Sequence, residues 1–470
     1  MFERLDTVKP ALKKLIAVLC ERYDYASVLA TAERYRSWRV SKNGINLSAS
    51  GLDGGDGYVI RVFDRTGCAE YSINAFSEDM IPAIVREMQE RFEAERAALP
   101  EGITPMPTAM PDDSPAVLKK EAKYEIDPME LGDEAILYLI RRIREKGLKA
   151  ENVMDIMCGV NYSAERKIFL SPHRDLDESH MWTNASVVAI GARGEEIKES
   201  YKGYSVLGGA ELLKEVENDV DTVVARLNDL LKSEPMIPGE YECVCDPEVT
   251  GMIVHEAFGH GVEMDMFVKD RAQAKQFIGQ YVASPLVTMH DGSTVDECAT
   301  WAFDDEGTLT GDTVIIDKGI LKTGMCDALS AMRLGVAPTG NGRRESYERK
   351  AYTRMTNTYF EGGDATKEEM IASIKYGFLL EEPTSGMEDP KNWGIQCMVN
   401  TAREIKDGKL TGRVFSPIVL TGYVPDLLKS VSMMGGKVEL AGGGYCGKGY
   451  KEWVKVSDGG AYMKARIRLG

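Results

Sequence analysis

The residues with the clearest chemical potential form the motif V-H-E-A-F-G-H-G at residues 254–261. The chain has 5 histidines, and two of them, His255 and His260, lie in this motif. Neutral imidazoles are the commonest zinc ligands, and a glutamate beside a zinc-bound water is the usual general base of amide hydrolysis. Glu256 directly follows His255. The motif therefore predicts a zinc hydrolase site, with one residue more between the histidines than in H-E-x-x-H.

The spacing of the two histidines does not fit a regular α-helix. Residues four apart differ by about 40° in direction, whereas residues five apart differ by roughly 140° and cannot chelate one ion. We therefore expect a deformed helix between His255 and His260, and a π-bulge would bring both imidazoles to one face. Gly259 and Gly261 permit irregular backbone there. The competing interpretation is a buried helix whose histidines satisfy local hydrogen bonds.

A catalytic zinc site needs a third protein ligand and an open position for water. Glu263 and Asp265 follow the motif closely, and Cys446 lies far along the chain within the glycine-rich segment 442–449. Glycines on both sides of a cysteine let the backbone approach a metal, which favours Cys446. The competing interpretation of that segment is a plain glycine-rich turn. From the residues alone, Cys446 and Glu263 are nearly equal candidates.

Several motifs resemble those of the TldD/PmbA family of bacterial and archaeal metallopeptidases. They occupy residues 255–265, 283–288, 304–308, 337–347, 354–359 and 446–448. The resemblance implies that His255, His260 and Cys446 bind Zn²⁺ and that Glu256 is the catalytic base. The family's PmbA subunit, also called TldE, lacks H-E-x-x-x-H, so this chain resembles the catalytic TldD member. The resemblance also implies a dimer, either a homodimer or a heterodimer with a PmbA/TldE-like subunit.

The substrate-binding residues are less well defined by the motifs. Arg343, Arg344, Arg354 and Tyr359 are the candidates for orienting a peptide or stabilising an oxyanion, with structural roles as the alternative. Family members carry a glycine-rich strand near residues 380–395 that borders the substrate cleft. Here the segment 381–394 has two prolines, more charge and a tryptophan. This departure leaves the expected chemistry intact, but the family's substrate preference does not carry over to this chain.

Composition excludes some classes of function. The net charge is −17, from 57 basic and 74 acidic residues, which argues against a nucleic-acid partner. No segment approaches the ~20 apolar residues of a membrane span, so no membrane association is expected. The 9 cysteines lack a disulfide-like framework, which predicts a cytoplasmic protein. The pair Cys243 and Cys245 predicts a half-buried strand rather than a second metal site.

The pattern of apolar residues predicts an α+β protein. Its N-terminal α/β half would contain two helix–strands–helix units, at residues 1–99 and 117–233, joined by a proline-rich linker at 100–116. Residues 237–470 would form a β-rich metallopeptidase domain around one irregular metal-binding helix. Turns at Asp317-Lys318-Gly319 and Asp407-Gly408 predict two hairpins in that domain.

These features together predict a zinc-dependent peptidase that hydrolyses peptides or unfolded protein segments, with Glu256 activating the water. Whether it acts as an endopeptidase or an aminopeptidase is left open. One alternative is another zinc amide hydrolase, because a deformylase uses the same ligand types. The other alternative is a non-catalytic subunit that binds peptides.

Overall fold

A computed structural model describes residues 2–49, 55–98, 100, 111–295, 297–441, 444–449 and 453–470. Most of the predicted linker at 100–116 therefore lies outside the described residues. In the described ranges, no helix combines the length and apolar character that crossing a membrane requires.

The N-terminal half is built on one sheet, in which eight strands can be described. Their order is β4-β3-β1-β6-β7-β5, with β2 beside β1 and β8 beside β7. The strands are β1 (Tyr25–Ser41), β2 (Gly44–Ser48), β3 (Gly57–Asp64), β4 (Gly67–Ile73), β5 (Ala116–Lys120), β6 (Val153–Leu170), β7 (Arg174–Arg193) and β8 (Glu196–Leu207). The two predicted helix–strands–helix units share this sheet, because β1 of the first unit pairs antiparallel with β6 of the second. The predicted domain limits stay a prediction.

Helices pack on this sheet through apolar stripes with the 3.6-residue period. Leu12, Leu15 and Leu19 of the first helix are fully buried, and so are Val220, Val223 and Leu227 of the last one. The helices are α1 (Glu3–Cys20), α2 (Ile81–Ala97), α3 (Pro128–Leu131), α4 (Asp133–Gly147) and α5 (Leu212–Leu230), with a 3₁₀ turn at Glu78–Met80.

The C-terminal half is dominated by a second sheet, for which the described residues supply twelve strands. Its main order is β12-β11-β10-β15-β24-β20-β18-β17-β9, with β16, β19 and β21 pairing off this path. These strands are β9 (Gly239–Cys245), β10 (Met289–Gly292), β11 (Asp312–Asp317), β12 (Ile320–Leu321), β15 (Asn357–Phe360), β16 (Gly363–Asp364), β17 (Tyr376–Asp389), β18 (Gly394–Lys406), β19 (Lys409–Phe415), β20 (Ile418–Tyr423), β21 (Met433–Ala441) and β24 (Ser457–Leu469). The predicted α+β class, with a β-rich C-terminal part, is confirmed.

Two short ribbons and several helices complete this half. The ribbons are β13 (Gly342–Arg343) with β14 (Tyr352–Thr353), and β22 (Tyr445–Cys446) with β23 (Val454–Lys455). The helices are α6 (Pro247–Val254), α7 (Asp265–Val268), α8 (Ala328–Leu334), α9 (Lys367–Ala372) and α10 (Val424–Lys429), with a 3₁₀ turn at Gln273–Phe277. Ribbon β22–β23 is the element that brings Cys446 to helix α6.

The local turn predictions agree with the fold. Strand β11 pairs with β12 and β18 with β19, as the two Asp-Gly signals indicated. Lys318 and Asp407 take positive φ values in these turns. Cys243 and Cys245 lie on β9, so the predicted strand is confirmed. The prediction that it is half-buried is wrong at this end, because Val244 between them is as fully buried as the two cysteines.

Candidate metal centre

The helix that carries the motif changes its winding at the first histidine. Asp246 caps α6 by accepting a hydrogen bond from the Val249 amide at 2.8 Å, and Pro247 occupies the first turn. The chain continues as a π-helical turn over His255–Gly259 and a 3₁₀ turn over His260–Val262. A π turn closes i→i+5 hydrogen bonds, so residues five apart return to one face. The predicted deformation between the two histidines is confirmed.

The Cys446 side chain lies close to the imidazoles of both His255 and His260. Its Sγ lies 3.2 Å from Nε2 of His255 and 3.3 Å from Nε2 of His260. The two rings are nearly perpendicular, with an interplanar angle of 88°. Among the described His, Cys, Asp and Glu side chains, these three form the group whose possible ligand atoms all lie within 4.8 Å of one another. Neither Glu263 nor Asp265, the alternative third ligands, belongs to this group.

Charge couples the three side chains. Burial opposes a charged thiolate, but the two neighbouring imidazoles outweigh burial and hold the pKa of Cys446 well below its usual range. Burial likewise opposes the imidazolium form, yet the Cys446 sulphur raises the pKa of His255 to about 9 and that of His260 well above its ordinary value. The cluster therefore favours a deprotonated sulphur, which is the form that binds metals.

The donor set fits a zinc ion. Tetrahedral coordination with ordinary Zn–N and Zn–S bonds separates nitrogen and sulphur ligands by roughly 3.6 Å. The observed separations of 3.2 and 3.3 Å differ from that value by only a few tenths of an ångström. Three protein ligands would leave one position open, as catalytic zinc sites require. The arrangement is thus a candidate His₂Cys metal centre.

A second layer of charged residues orients His260. Its Nδ1 lies 3.1 Å from Oε2 of Glu263, which is 1% exposed. The same oxygen lies 3.0 Å from Nζ of Lys448, and Oε1 of Glu263 lies 3.4 Å from Nε of Arg354. These cations and His260 outweigh burial and lower the pKa of Glu263. A carboxylate on Nδ1 fixes the tautomer that presents Nε2 to a metal.

The same layer ties the cysteine segment to the helix. Arg354 donates from Nη2 to the carbonyl oxygen of Cys446 at 2.8 Å. Lys448, two residues beyond Cys446, also pairs with Asp265 at 2.5 Å. Glu263 and Asp265 therefore anchor the segment that supplies the sulphur ligand.

His255 has a different neighbour. Oδ2 of Asp458 lies 3.6 Å from its Nδ1, which is longer than a hydrogen bond, and this buried nitrogen has no hydrogen-bond partner in the described structure. Burial raises the pKa of Asp458 to about 6, although His255 opposes this shift. Asp458 was not among the residues predicted from the sequence, because nothing in the local pattern of β24 marks it.

Glu256 lies on the π turn and lines an open cleft of about 1110 Å³ together with His255, His260 and Cys446. A Cβ atom at Gly386 of β17 would overlap the Glu256 side chain. The strand that crosses over Glu256 therefore requires glycine at this point. Tyr201 and Gly203 of β8 also line the cleft, so the N-terminal sheet supplies part of its wall.

Glu388 of β17 also faces this cleft and was missed by sequence reasoning, although it lies in the divergent segment 381–394. Its Oε2 accepts a hydrogen bond from the Gly261 amide at 2.8 Å, next to His260. Burial raises its pKa well above the ordinary value for a glutamate. The unusual charge of segment 381–394 was the feature of the sequence that could have pointed to Glu388.

The predicted substrate-binding residues do not line the metal cleft as the structure describes it. Arg354 is buried behind His260 and Cys446. Arg343 and Arg344 line a separate chamber. Tyr359 stacks on His290, with ring centroids 5.1 Å apart. Their substrate roles stay predictions.

The fold and this site define a protein with a candidate His₂Cys metal centre on a distorted helix of a β-rich domain. The sequence profile of the PmbA/TldA metallopeptidase C-terminal domain matches residues 238–462. Residues 238–462 therefore carry a PmbA/TldD-type C-terminal domain, as the motifs in this part of the chain predicted.

Relatives with assigned names support this placement. A metalloprotease of Methanothermobacter thermautotrophicus is 31% identical over 282 residues, which cover 59% of this chain and 61% of that protein. A Methanocaldococcus jannaschii metalloprotease is 27% identical over 455 residues, covering 96% and 97% of the two chains. A zinc metalloprotease TldD homolog of Saccharolobus solfataricus is 30% identical over 260 residues, covering 54% and 57%. The match thus spans about three fifths of the first and third relatives.

Solved structures share the fold. TldE from Thermococcus kodakarensis superposes with a TM-score of 0.73 at 18% identity, covering 98% of this chain and all of that one. A Thermotoga maritima protein described as a candidate modulator of a DNA gyrase gives a TM-score of 0.77 at 16% identity, with 98% and 100% coverage.

Proposed function

We propose that the protein is a zinc-dependent peptidase that hydrolyses peptide bonds in peptides or unfolded protein segments. The observation that carries the proposal is the convergence of Cys446 Sγ on Nε2 of His255 and of His260, with Glu256 on the same turn. The family and the zinc metalloprotease among its relatives support the same chemistry.

Each residue of the site has a distinct role in the proposed reaction. His255, His260 and Cys446 would hold the zinc, which when bound lowers the pKa of water towards neutrality and polarises a peptide carbonyl. Glu256 accepts the proton of the attacking water and passes it to the departing amine. Glu263 holds His260 through Nδ1 throughout. A thiolate ligand donates more charge than a third imidazole, so the reaction depends strongly on Glu256.

The cleft suits an extended chain. Strand β17 pairs with β18 along its length, but β9 pairs with it only at Gly377–Leu380. No described strand covers the second edge of residues 381–389, and 383–388 line the cleft. A peptide can add to such an edge through main-chain hydrogen bonds, which gives weak sequence preference.

Assembly and location belong to the same proposal. A homodimer or a heterodimer with a TldE-like subunit, in the cytoplasm, would be the working form. The support is the match of residues 238–462 to the PmbA/TldA domain together with the likeness of the fold to TldE.

The test compares the wild type with Glu256→Gln on an unfolded protein, with and without a TldE-like subunit. We expect the variant to keep one zinc per chain and to lose at least ~100-fold in rate, as removal of a general base does. Glu242→Gln, on strand β9 and outside the lining of the cleft, is the control and should behave as the wild type. Full activity of Glu256→Gln with bound zinc would refute the proposal. Cleavage of formyl peptides without cleavage of unfolded protein would indicate a deformylase instead.

A further inference from the structure

The distinctive block at residues 337–347 does not lie on the metal cleft. Part of it lines a separate chamber of about 80 Å³ between the two sheets. Strands β6 and β7 contribute Lys167 and Trp182, and the C-terminal half contributes Trp301, Arg343 and Lys455. A water molecule needs roughly 10–15 Å³ of such volume, so the chamber has room for several waters or one carboxylate-sized group.

Four cationic side chains face this chamber, and each is at least nine-tenths buried. They are Lys167, Arg343, Arg344 and Lys455. The acidic lining residues are more exposed, namely Glu33, Glu165, Asp305 and Glu345. The free-energy cost of burying charge therefore falls mainly on these four cations. Lys167 is neutralised by Asp305 at 3.0 Å, and Arg344 pairs with Glu70.

Arg343 differs from its neighbours because it is poorly satisfied. Its guanidinium donates from Nη1 to the Met355 carbonyl at 2.7 Å, which is its single hydrogen bond to described residues. No carboxylate of the described chain lies within ion-pair distance of it, and burial lowers its pKa. Arginine offers five N–H donors, and an unpaired buried charge is costly. The Nε of Arg344 is also buried without a hydrogen-bond partner.

The chamber adjoins the metal cleft. Tyr445 and Trp453 line both cavities. Tyr445 is the residue before Cys446, and its partner across ribbon β22–β23 is Lys455. Neighbouring residues on a strand are about 3.3 Å apart. The two cavities therefore meet at these side chains, next to the sulphur ligand.

We propose that this chamber is a carboxylate-binding subsite in which Arg343 recognises the C-terminal carboxylate of a peptide held in the metal cleft. The planar guanidinium matches a carboxylate with two parallel hydrogen bonds. The assignment of this carboxylate to a peptide rests on the proposed function. A free organic acid would offer the same carboxylate to Arg343. The proposal makes peptides with a free C-terminus the preferred substrates.

Tryptophan fluorescence of the metal-free protein tests binding without any hydrolysis. Three of the chain's 5 tryptophans, Trp182, Trp301 and Trp453, line the chamber. The probes are N-acetyl-Ala-Ala with a free carboxylate, its C-terminal amide, and acetate. We expect saturable quenching by the free acid, at least tenfold weaker binding of the amide, and at least tenfold weaker binding of the acid to Arg343→Gln. Arg349→Gln, a neighbouring arginine that does not line the chamber, should bind as the wild type does.

Equal binding of acid and amide, or wild-type binding by Arg343→Gln, would overturn the proposal. If Arg343→Gln does not fold, Arg343→Lys keeps the charge but loses the fork, and it should also bind at least tenfold more weakly; wild-type binding by Arg343→Lys would overturn the proposal. Acetate binding as tightly as the peptide acid would assign the subsite to free acids and overturn the peptide as its source.

Hydrolysis separates this proposal from the function itself. With the zinc-loaded protein, we expect kcat/KM for a peptide acid to exceed that for its amide at least tenfold, and Arg343→Gln to remove the difference by raising KM. Equal rates for acid and amide would overturn the substrate preference while leaving the peptidase intact. Absence of all hydrolysis, including that of unfolded protein, would refute the proposed function, and the fluorescence result would still decide on the carboxylate site.

Discussion

The Glu263 carboxylate lies 3.1 Å from Nδ1 of His260, while Nε2 of the same ring lies 3.3 Å from the Cys446 sulphur. One imidazole thus joins a buried charged network to the candidate metal site. The network continues through Lys448 and Arg354 to the segment that carries Cys446. Glu263, which the sequence offered as a possible ligand, is placed to orient a ligand instead.

Replacement of Glu263 should weaken metal binding without removing it. We expect the dissociation constant for zinc to rise about 10–100-fold in Glu263→Gln, as for other groups that orient metal ligands. A chelator competition assay measures this change. The matched control is Lys269→Met, which removes an exposed partner of Asp265 but does not touch Glu263. An unchanged affinity in a folded Glu263→Gln protein would contradict the orienting role.

Replacement of Cys446 should have a larger effect. In Cys446→Ser the third candidate ligand is lost, so zinc affinity should fall by more than about 100-fold, beyond the effect expected for an orienting residue. Metal content after dialysis is the measurement. Cys243→Ala removes another buried cysteine of the same domain and should retain one zinc per chain. Loss of zinc from a folded control would place the ion at Cys243 and Cys245 and contradict the site at Cys446.

Substitution of Gly386 should uncouple metal binding from hydrolysis. A methyl group at this position overlaps the Glu256 side chain, so Gly386→Ala should displace the base and lower the rate by roughly 100-fold or more. Zinc content should not change. Gly394→Ala is the matched control, because a Cβ there has nothing within 4 Å. Retained activity in Gly386→Ala would mean that Glu256 tolerates the shift or is not the base.

Low pH should weaken the contact between the N-terminal and C-terminal halves, where Glu70 of β4 pairs with Arg344. Burial opposes ionisation of Glu70, but Arg61 and Arg344 outweigh it and lower its pKa from 4.5 to about 2. Because the folded pKa is depressed, the stabilisation is complete above the unfolded pKa and is lost as the pH falls from about 4.5 towards 2. The free energy of unfolding should drop by up to about 3 kcal/mol in this window. Denaturant titrations should show a shallower pH dependence in Glu70→Gln; an identical slope would contradict the prediction.

The local chemistry of the site was readable from the sequence. His255, Glu256 and His260 are neighbours in the chain, and their spacing alone required the π turn that the structure shows. The Asp-Gly hairpins and the strand at Cys243 were predictable for the same reason. Helix winding and turn formation depend on interactions within a few residues.

Only the tertiary structure decided between Cys446 and Glu263 as the partner of both imidazoles. It also shows that Asp458 and Glu388 lie beside the ligands. Arg343, a predicted substrate-binding residue, lines a chamber between the sheets instead of the metal cleft. These positions depend on pairing between strands far apart in the chain, such as β24 with β9 and β24 with β15. Such pairing is set by burial over a whole sheet, and no local pattern of residues specifies which distant side chains then meet.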